Sequence, residues 1–204
     1  MTAFGGELAM EALRGQTPAA PHDKEEARWV VRAQAGDAAG QRWLLERYRA
    51  RTVRLAAHIL RGDADAEDVA QEAFVQAFRH LGALRGDGAA FAPWLRRIVV
   101  RRCLDHLRRP ARQREVPVDQ ARDWAKGDGT ARADTRLLVE ALLDQLSAPL
   151  RAALVLRECE GMEYEEIADV LRVPVGTVRS RLHAARAQFR LLWLAAEGEE
   201  AADV

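Results

Sequence analysis

The stretch from Tyr164 to Arg186, YEEIADVLRVPVGTVRSRLHAAR, constrains the fold of this chain more than any other. Ile167, Ala168 and Leu171 recur at the spacing of one helical face. Pro174 cannot extend a helix that precedes it, so a first short helix is expected to stop there. Gly176 and Thr177 are expected to open a second helix. On a helical wheel Val178, Leu182, Ala185 and Phe189 share one face of that second helix, and Arg179, Ser180, His183 and Arg186 fall largely outside it. Between Val178 and Arg190 stand Arg179, Arg181, Arg186 and Arg190, with no acid among them. This is the layout of a helix-turn-helix whose polar face enters the major groove. A helical hairpin in any all-α protein can show the apolar half of the pattern. The acid-free arginine face is less common, and it points to DNA.

The rest of the chain suits helices. Ala, Leu, Arg and Glu dominate and β-branched runs are scarce, which favours an all-α protein. Hydrophobic residues make up 49% and charged residues 30%, a balance that folds rather than staying disordered. The apolar stretches fall short of a membrane span, and the first ten residues lack the pattern of a signal peptide. The two cysteines, Cys103 and Cys159, lie far apart, as in a reducing cytoplasm, and each reads as a small buried hydrophobe. The formal net charge of zero at first opposes nucleic-acid binding, but the average conceals a partition. Asp63, Asp65, Glu67, Asp68 and Glu72 form an acidic run without a base. From Arg96 to Arg114 there are eight arginines against Asp105 alone, and the tail after Glu197 is acidic again. Separated surfaces of this kind can bind DNA on one side and a basic protein on the other. Any single run, taken alone, reads as a solvated helix face.

The organisation follows from the punctuation. Residues 1–22, rich in Gly and Pro, are read as a mobile extension. A helical domain is expected over 23–110, with helices over Lys24–Ala35, Ala38–Arg61, Asp63–Leu81 and Phe91–Arg109, the last stopped by Pro110. Leu81 to Ala90, with three glycines, is expected to be a loop. Residues 111–134, with Pro117, Gly127 and Gly129, form the expected flexible linker. A second domain over 135–196 carries helices near Thr135–Gln145, Ala148–Cys159, Glu163–Leu171 and Val175–Ala196, and residues 197–204 form the acidic tail. The fold class expected is therefore all-α, with two small helical domains.

The helix over Phe91–Arg109 reads as a second DNA surface. At roughly 100° per residue, Leu95, Val99, Val100, Cys103, Leu104 and Leu107 fill one half of the wheel, and Arg97, Arg101, Arg102, Arg108 and Arg109 the other. Trp94 falls among the arginines. Arginines neutralise phosphates and a ring can replace a lost base stack, so the composition suits strand separation. The bland alternative is a tryptophan packed in the core or between domains. The glycines of Arg85-Gly86-Asp87-Gly88 would let backbone approach a ligand closely, or would simply make a turn. Asp63-Ala-Asp65-Ala-Glu67 resembles the start of a calcium loop but fails it: the sixth position is Asp68 rather than Gly and the twelfth is Phe74 rather than Glu. No metal or cofactor is expected. No catalytic constellation is recognisable either, so the chain is not expected to be an enzyme.

Three segments together resemble one family. DAEDVAQEAFVQAF (Asp65–Phe78) is similar to the polymerase-binding helix of the bacterial sigma-70 superfamily, FAPWLRRIVVRRCLDHLRR (Phe91–Arg109) to its minus-ten-reading and promoter-melting helix, and EYEEIADVLRVPVGTVRSRLHAAR to its minus-thirty-five-reading unit. They stand in the family's order and, with flanking helices, cover roughly residues 25–195. The length leaves no room for further domains, so the chain resembles the small extracytoplasmic-function subgroup. The resemblance implies a promoter-specificity factor with sigma region 2 over 23–110 and region 4 over 135–196. It implies that Asp68, Gln71 and Glu72 dock on a coiled coil of the polymerase β′ subunit, with Phe74 and Phe78 in the core, and that the β flap is a further contact. It implies that Trp94 is a wedge at the upstream edge of the melted region, that Arg97, Arg101 and Arg102 face the minus-ten element, and that Arg85 and Asp87 capture a flipped base. Arg179, Ser180, Arg181, His183 and Arg186 would read the minus-thirty-five element. An anti-sigma partner is implied as well. The melting helix departs from the family in its few aromatics, only Phe91 and Trp94. A dimeric operator-binding regulator would explain only residues 164–186, and a sequestering adaptor would leave the arginine faces without a task.

Overall fold

The computed structural model describes residues 24–61, 63–85, 90–108 and 131–200. The chain divides into two compact units, with the helices of 24–108 in one and those of 131–200 in the other. Every long element among the described residues is an α-helix, and none of those helices is long and apolar enough to cross a membrane.

The first unit contains α1 (Lys24–Gln34), α2 (Ala38–Leu60), α3 (Asp63–His80), one 3-10 turn (Leu81–Ala83) and α4 (Phe91–Arg108). The turn between α1 and α2 is built from local chemistry. Gly36 adopts φ +82°, and Asp37 caps α2 by accepting the Ala39 N–H at 2.8 Å. Arg32 reaches forward to the same carboxylate, its Nε donating at 2.6 Å. The Ala39 amide, then Arg32, hold the Asp37 carboxyl below the usual carboxylate range. Gly40 is required by packing: a Cβ there would lie 2.6 Å from the Ala33 nitrogen, so the two helices touch backbone to backbone. At the far end of α2, Arg61 adopts a left-handed φ of 72° and turns the chain into α3. Leu44, Leu55, Ile59, Phe74, Leu95, Val99 and Cys103 are buried in the unit's core. Burial pushes the Cys103 thiol well above its ordinary value, so it behaves as a small hydrophobe.

The second unit contains α5 (Ala131–Gln145), α6 (Ala148–Glu158), α7 (Tyr164–Leu171) and α8 (Val175–Glu200). Glu163 and Glu166 form a capping box at the start of α7, the Glu163 N–H donating to Glu166 Oε2 at 2.9 Å. The end of α7 differs from the expectation that Pro174 stops it. Arg172, at φ 54°, already ends the helix with its N–H on the Ala168 carbonyl. Pro174 instead serves the next helix, its carbonyl accepting the Thr177 N–H at 2.9 Å, and α8 begins at Val175. The other helix bounds move by no more than a residue, except that α5 starts at Ala131 rather than Thr135 and α8 runs to Glu200 rather than Ala196, into the residues expected to form the acidic tail. The extension over 1–22, the linker residues up to 130 and the end of the acidic tail lie outside the described residues.

Candidate nucleic-acid interface

On α8 the sequence pattern sorts as expected. Val178, Leu182, Ala185 and Phe189 are buried against the rest of the unit, while Arg179, Ser180 and His183 are exposed. Ser180 Oγ donates to the Thr177 carbonyl at 3.0 Å, so its hydroxyl is partly engaged with its own helix. Arg181 is only half-exposed. Arg186 has a second task. Its Nε and Nη2 lie 3.1 and 2.7 Å from Glu158 Oε1, on α6. The Glu158 side chain is 4% exposed, so a buried carboxylate holds α8. Burial works against the Arg186 charge, but hydrogen bonds to Glu158 and Tyr164 outweigh it and hold the guanidinium above its ordinary pKa. Cys159, beside this pair, has its thiol pushed up to about 12 by burial and is inert.

On α4, Arg97 and Arg101 are exposed, as the wheel places them. Arg102 is not presented in the same way: its Nε donates to Gln76 Oε1 at 2.8 Å and its Nη1 lies 3.5 Å from Glu72 Oε2. A residue assigned to DNA and one assigned to polymerase are thus brought together. Farther along, His106 Nε2 lies 3.3 Å from Asp65 Oδ2, a second rung between α4 and α3. Trp94 is half-buried, its ring 6.1 Å from that of Phe91 and tilted 51°. It is neither a core residue nor a free ring. Arg85 is exposed, whereas Asp87 lies outside the described residues.

The acidic face of α3 is open. Asp68, Gln71 and Glu72 are exposed and line a cleft of about 560 Å³ together with Arg79 and Arg102. Asp68 and Gln71 also border a more apolar groove of about 410 Å³, floored by Phe74 and Phe78 and walled by Leu45 and Val75. Phe74 is buried but Phe78 is only half-buried, so the second phenylalanine belongs to the groove as much as to the core. Val75, 45% exposed, was missed by charge reasoning. Its spacing from Asp68 and Glu72 along one helical stripe is the signal that would have found it. No group of three or more metal-ligating side chains occurs among the described residues.

Comparison with known proteins agrees with this division. Sigma-70 region 2 matches residues 44–113, and Sigma-70, region 4 matches residues 136–189. The RNA polymerase sigma-H factor of Pseudomonas aeruginosa is 37% identical over 80% of this chain and 91% of its own length. The chain belongs to the sigma-70 family, in its extracytoplasmic-function subgroup. The sigma factor SigM of Mycobacterium tuberculosis is 35% identical over 84% of this chain and 86% of its own. The sigma-E factor of Escherichia coli is 36% identical over 77% and 88%. The solved structure of CnrH in complex with the cytosolic domain of CnrY matches with a TM-score of 0.57 and 26% identity, covering 83% of this chain and 97% of that one. The sigma factor RpoE of Bartonella quintana, solved in complex with the anti-sigma factor NepR, shares the fold at a TM-score of 0.55 and 21% identity. As a sigma factor, this protein binds core RNA polymerase and promoter DNA and directs transcription initiation through regions 2 and 4. Family membership settles the choice against an operator-binding dimer and against an adaptor that never touches DNA.

Proposed function

We propose that this sigma factor divides promoter reading between its two units residue by residue. Arg179, Ser180, Arg181 and His183 read the minus-thirty-five element from the major groove, with Arg186 holding the helix that carries them. Arg97 and Arg101 face the minus-ten element, Trp94 wedges the upstream edge of the melted region, and Arg85 with Asp87 captures a flipped base. Arg102 reaches DNA only by giving up Gln76 and Glu72. Asp68, Gln71 and Glu72 dock on the β′ coiled coil, and region 4 meets the β flap. The observation that carries the reading is the joint exposure of Arg179, Ser180 and His183 on the polar face of α8, opposite its buried apolar face. Phosphate contacts set position and base-edge contacts set sequence, so such a face suits the reading role. The protein acts in the cytoplasm and supplies no chemistry of its own; nucleotide addition belongs to the polymerase. A protein of the anti-sigma type competes with core polymerase for region 2, a reading supported by the complex named for the Bartonella quintana relative.

The test is run-off transcription with bacterial core polymerase and a library of random upstream sequences. Selected templates are expected to share two sequence blocks, and Asp68→Lys with Glu72→Lys is expected to abolish both transcripts and co-purification with core. Templates without a shared upstream block, or a double variant that still co-purifies, would overturn the assignment.

A further inference from the structure

A buried polar contact lies behind the melting helix, and it starts outside the segment matched to sigma-70 region 2. Glu26, on α1, is 1% exposed. One of its oxygens accepts the Tyr48 hydroxyl at 2.5 Å, and the other lies 3.6 Å from Arg47 Nε. The matched segment begins at residue 44, so the carboxylate comes from a helix that precedes it. Tyr48 is itself buried, and its ring packs on Phe91 at 5.3 Å with a tilt of 56°. Phe91, 0% exposed, is the first residue of α4, and Trp94 rests on it one turn later. Glu26, Tyr48, Phe91 and Trp94 therefore form one unbroken path of contacts from α1 to the start of α4.

The chemistry suits a fixed support. A carboxylate buried to this degree is tolerated only when it is paired and hydrogen-bonded: Tyr48 donates the hydrogen bond to one oxygen, and Arg47 pairs with the other at 3.6 Å without a hydrogen bond to it. Burial, then the bond to Glu26, push the Tyr48 hydroxyl above its ordinary value, so the phenol remains a donor. A tyrosine held by its hydroxyl at one end and by an aromatic face at the other has one rotamer available. The Phe91 ring packed against it at a tilt inherits that restriction, and close packing transmits it to the next.

We propose that Glu26 and Tyr48 are positioning residues for promoter melting, acting through Phe91 to set the ring of Trp94. This rests on the wedge reading of Trp94 given above. The experiment uses the full chain with core polymerase and a promoter selected from the random library. Open complex is read by permanganate reactivity of promoter thymines, closed complex by filter binding, and folding by thermal unfolding. Tyr48→Phe keeps the ring and removes the bond. It is expected to lower open complex about ten-fold, as loss of a charge-assisted bond from a buried group allows, with closed complex unchanged and activity restored on a pre-melted bubble template. Glu26→Gln, which keeps an acceptor, is expected to melt within about two-fold of the parent. In a Trp94→Ala background, Tyr48→Phe is expected to cost nothing further, because residues acting through one group are not additive. Full additivity, or no bubble rescue, would overturn the positioning role while leaving Trp94 as the wedge. Normal melting by Trp94→Ala would remove the wedge and this inference with it.

Discussion

The two arginine-rich helices of this sigma factor are fastened in opposite ways. On α8, Arg186 is tied to a carboxylate that is 4% exposed, from a helix packed beneath it. On α4, Arg102 is tied to Glu72, which is 49% exposed and lies on the face assigned to polymerase. A buried ion pair leaves an uncompensated charge when one partner goes, whereas a solvated one is screened and easily exchanged. The difference matches what each helix has to do. A recognition helix reads base edges best when its angle in the groove is fixed. If α4 melts DNA as proposed, it works only once polymerase is in place, and a solvated pair on its flank is the kind that a basic partner can exchange. The pair at α8 is buried on its acid side, and the pair on the flank of α4 is solvated on both sides.

The largest expected effect is at the buried seam. Arg186→Ala should destabilise the second unit by about 3 kcal/mol, the low end for a broken buried pair because the arginine side chain is 43% exposed. Thermal unfolding of the full chain measures this. Adding Glu158→Gln should recover part of the loss, since the residue left behind no longer carries a charge. If unfolding is unchanged and only promoter affinity falls, Arg186 is a DNA contact and the contrast between the helices disappears.

Much of this was legible in the sequence, but the fastenings were not. Periodicity placed Val178, Leu182, Ala185 and Phe189 on the packed face of α8 and Leu95, Val99 and Cys103 on that of α4, and these residues are buried. Periodicity assigns a face, not a partner. Arg186 and Glu158 are 28 residues apart, and Tyr48 and Glu26 are 22 apart, so no helical spacing links them. Arg102 falls on the basic face of its wheel, and only the packing of α4 on α3 shows that its guanidinium meets Gln76 and Glu72. The end of α7 at Leu171 was legible, but what ends it was not, for a related reason. A left-handed arginine such as Arg172 leaves no compositional mark, while the nearby Pro174 is conspicuous and does a different job. The wheel placed Trp94 among the arginines, and it could not show that the ring is half-buried beside Phe91.

A smaller effect sharpens the comparison at the exposed end of α8. Arg179→Ala should weaken promoter binding by about 2 kcal/mol if the guanidinium is bidentate to a guanine. The loss should appear only on templates carrying the selected minus-thirty-five block, and the unfolding temperature should not move. Equal weakening on every DNA would make Arg179 a phosphate contact, with a correspondingly reduced salt dependence of binding. Arg179 and Arg186 are both exposed in part and stand two turns apart. The expected outcome separates them completely, one changing affinity without stability and the other stability first.

The smallest effect tests the exchangeable seam. Both partners of the Arg102–Glu72 pair are substantially solvated, at 35% and 49% exposure, so the pair should contribute no more than about 1 kcal/mol. Arg102→Ala should therefore shift unfolding by at most about that amount, and less at high salt. The consequence for polymerase has the opposite sign. A basic group of the polymerase that takes Glu72 must first displace Arg102, so the free protein resists docking by the worth of the seam. Removing Arg102 removes that resistance, and core polymerase should bind up to about five-fold more tightly, which is the same 1 kcal/mol expressed as an affinity ratio. Competition binding of parent and variant to core enzyme measures it. A loss of stability near 3 kcal/mol, or a weaker grip on core, would mean that α4 is held as firmly as α8 and that the melting helix is not poised for exchange.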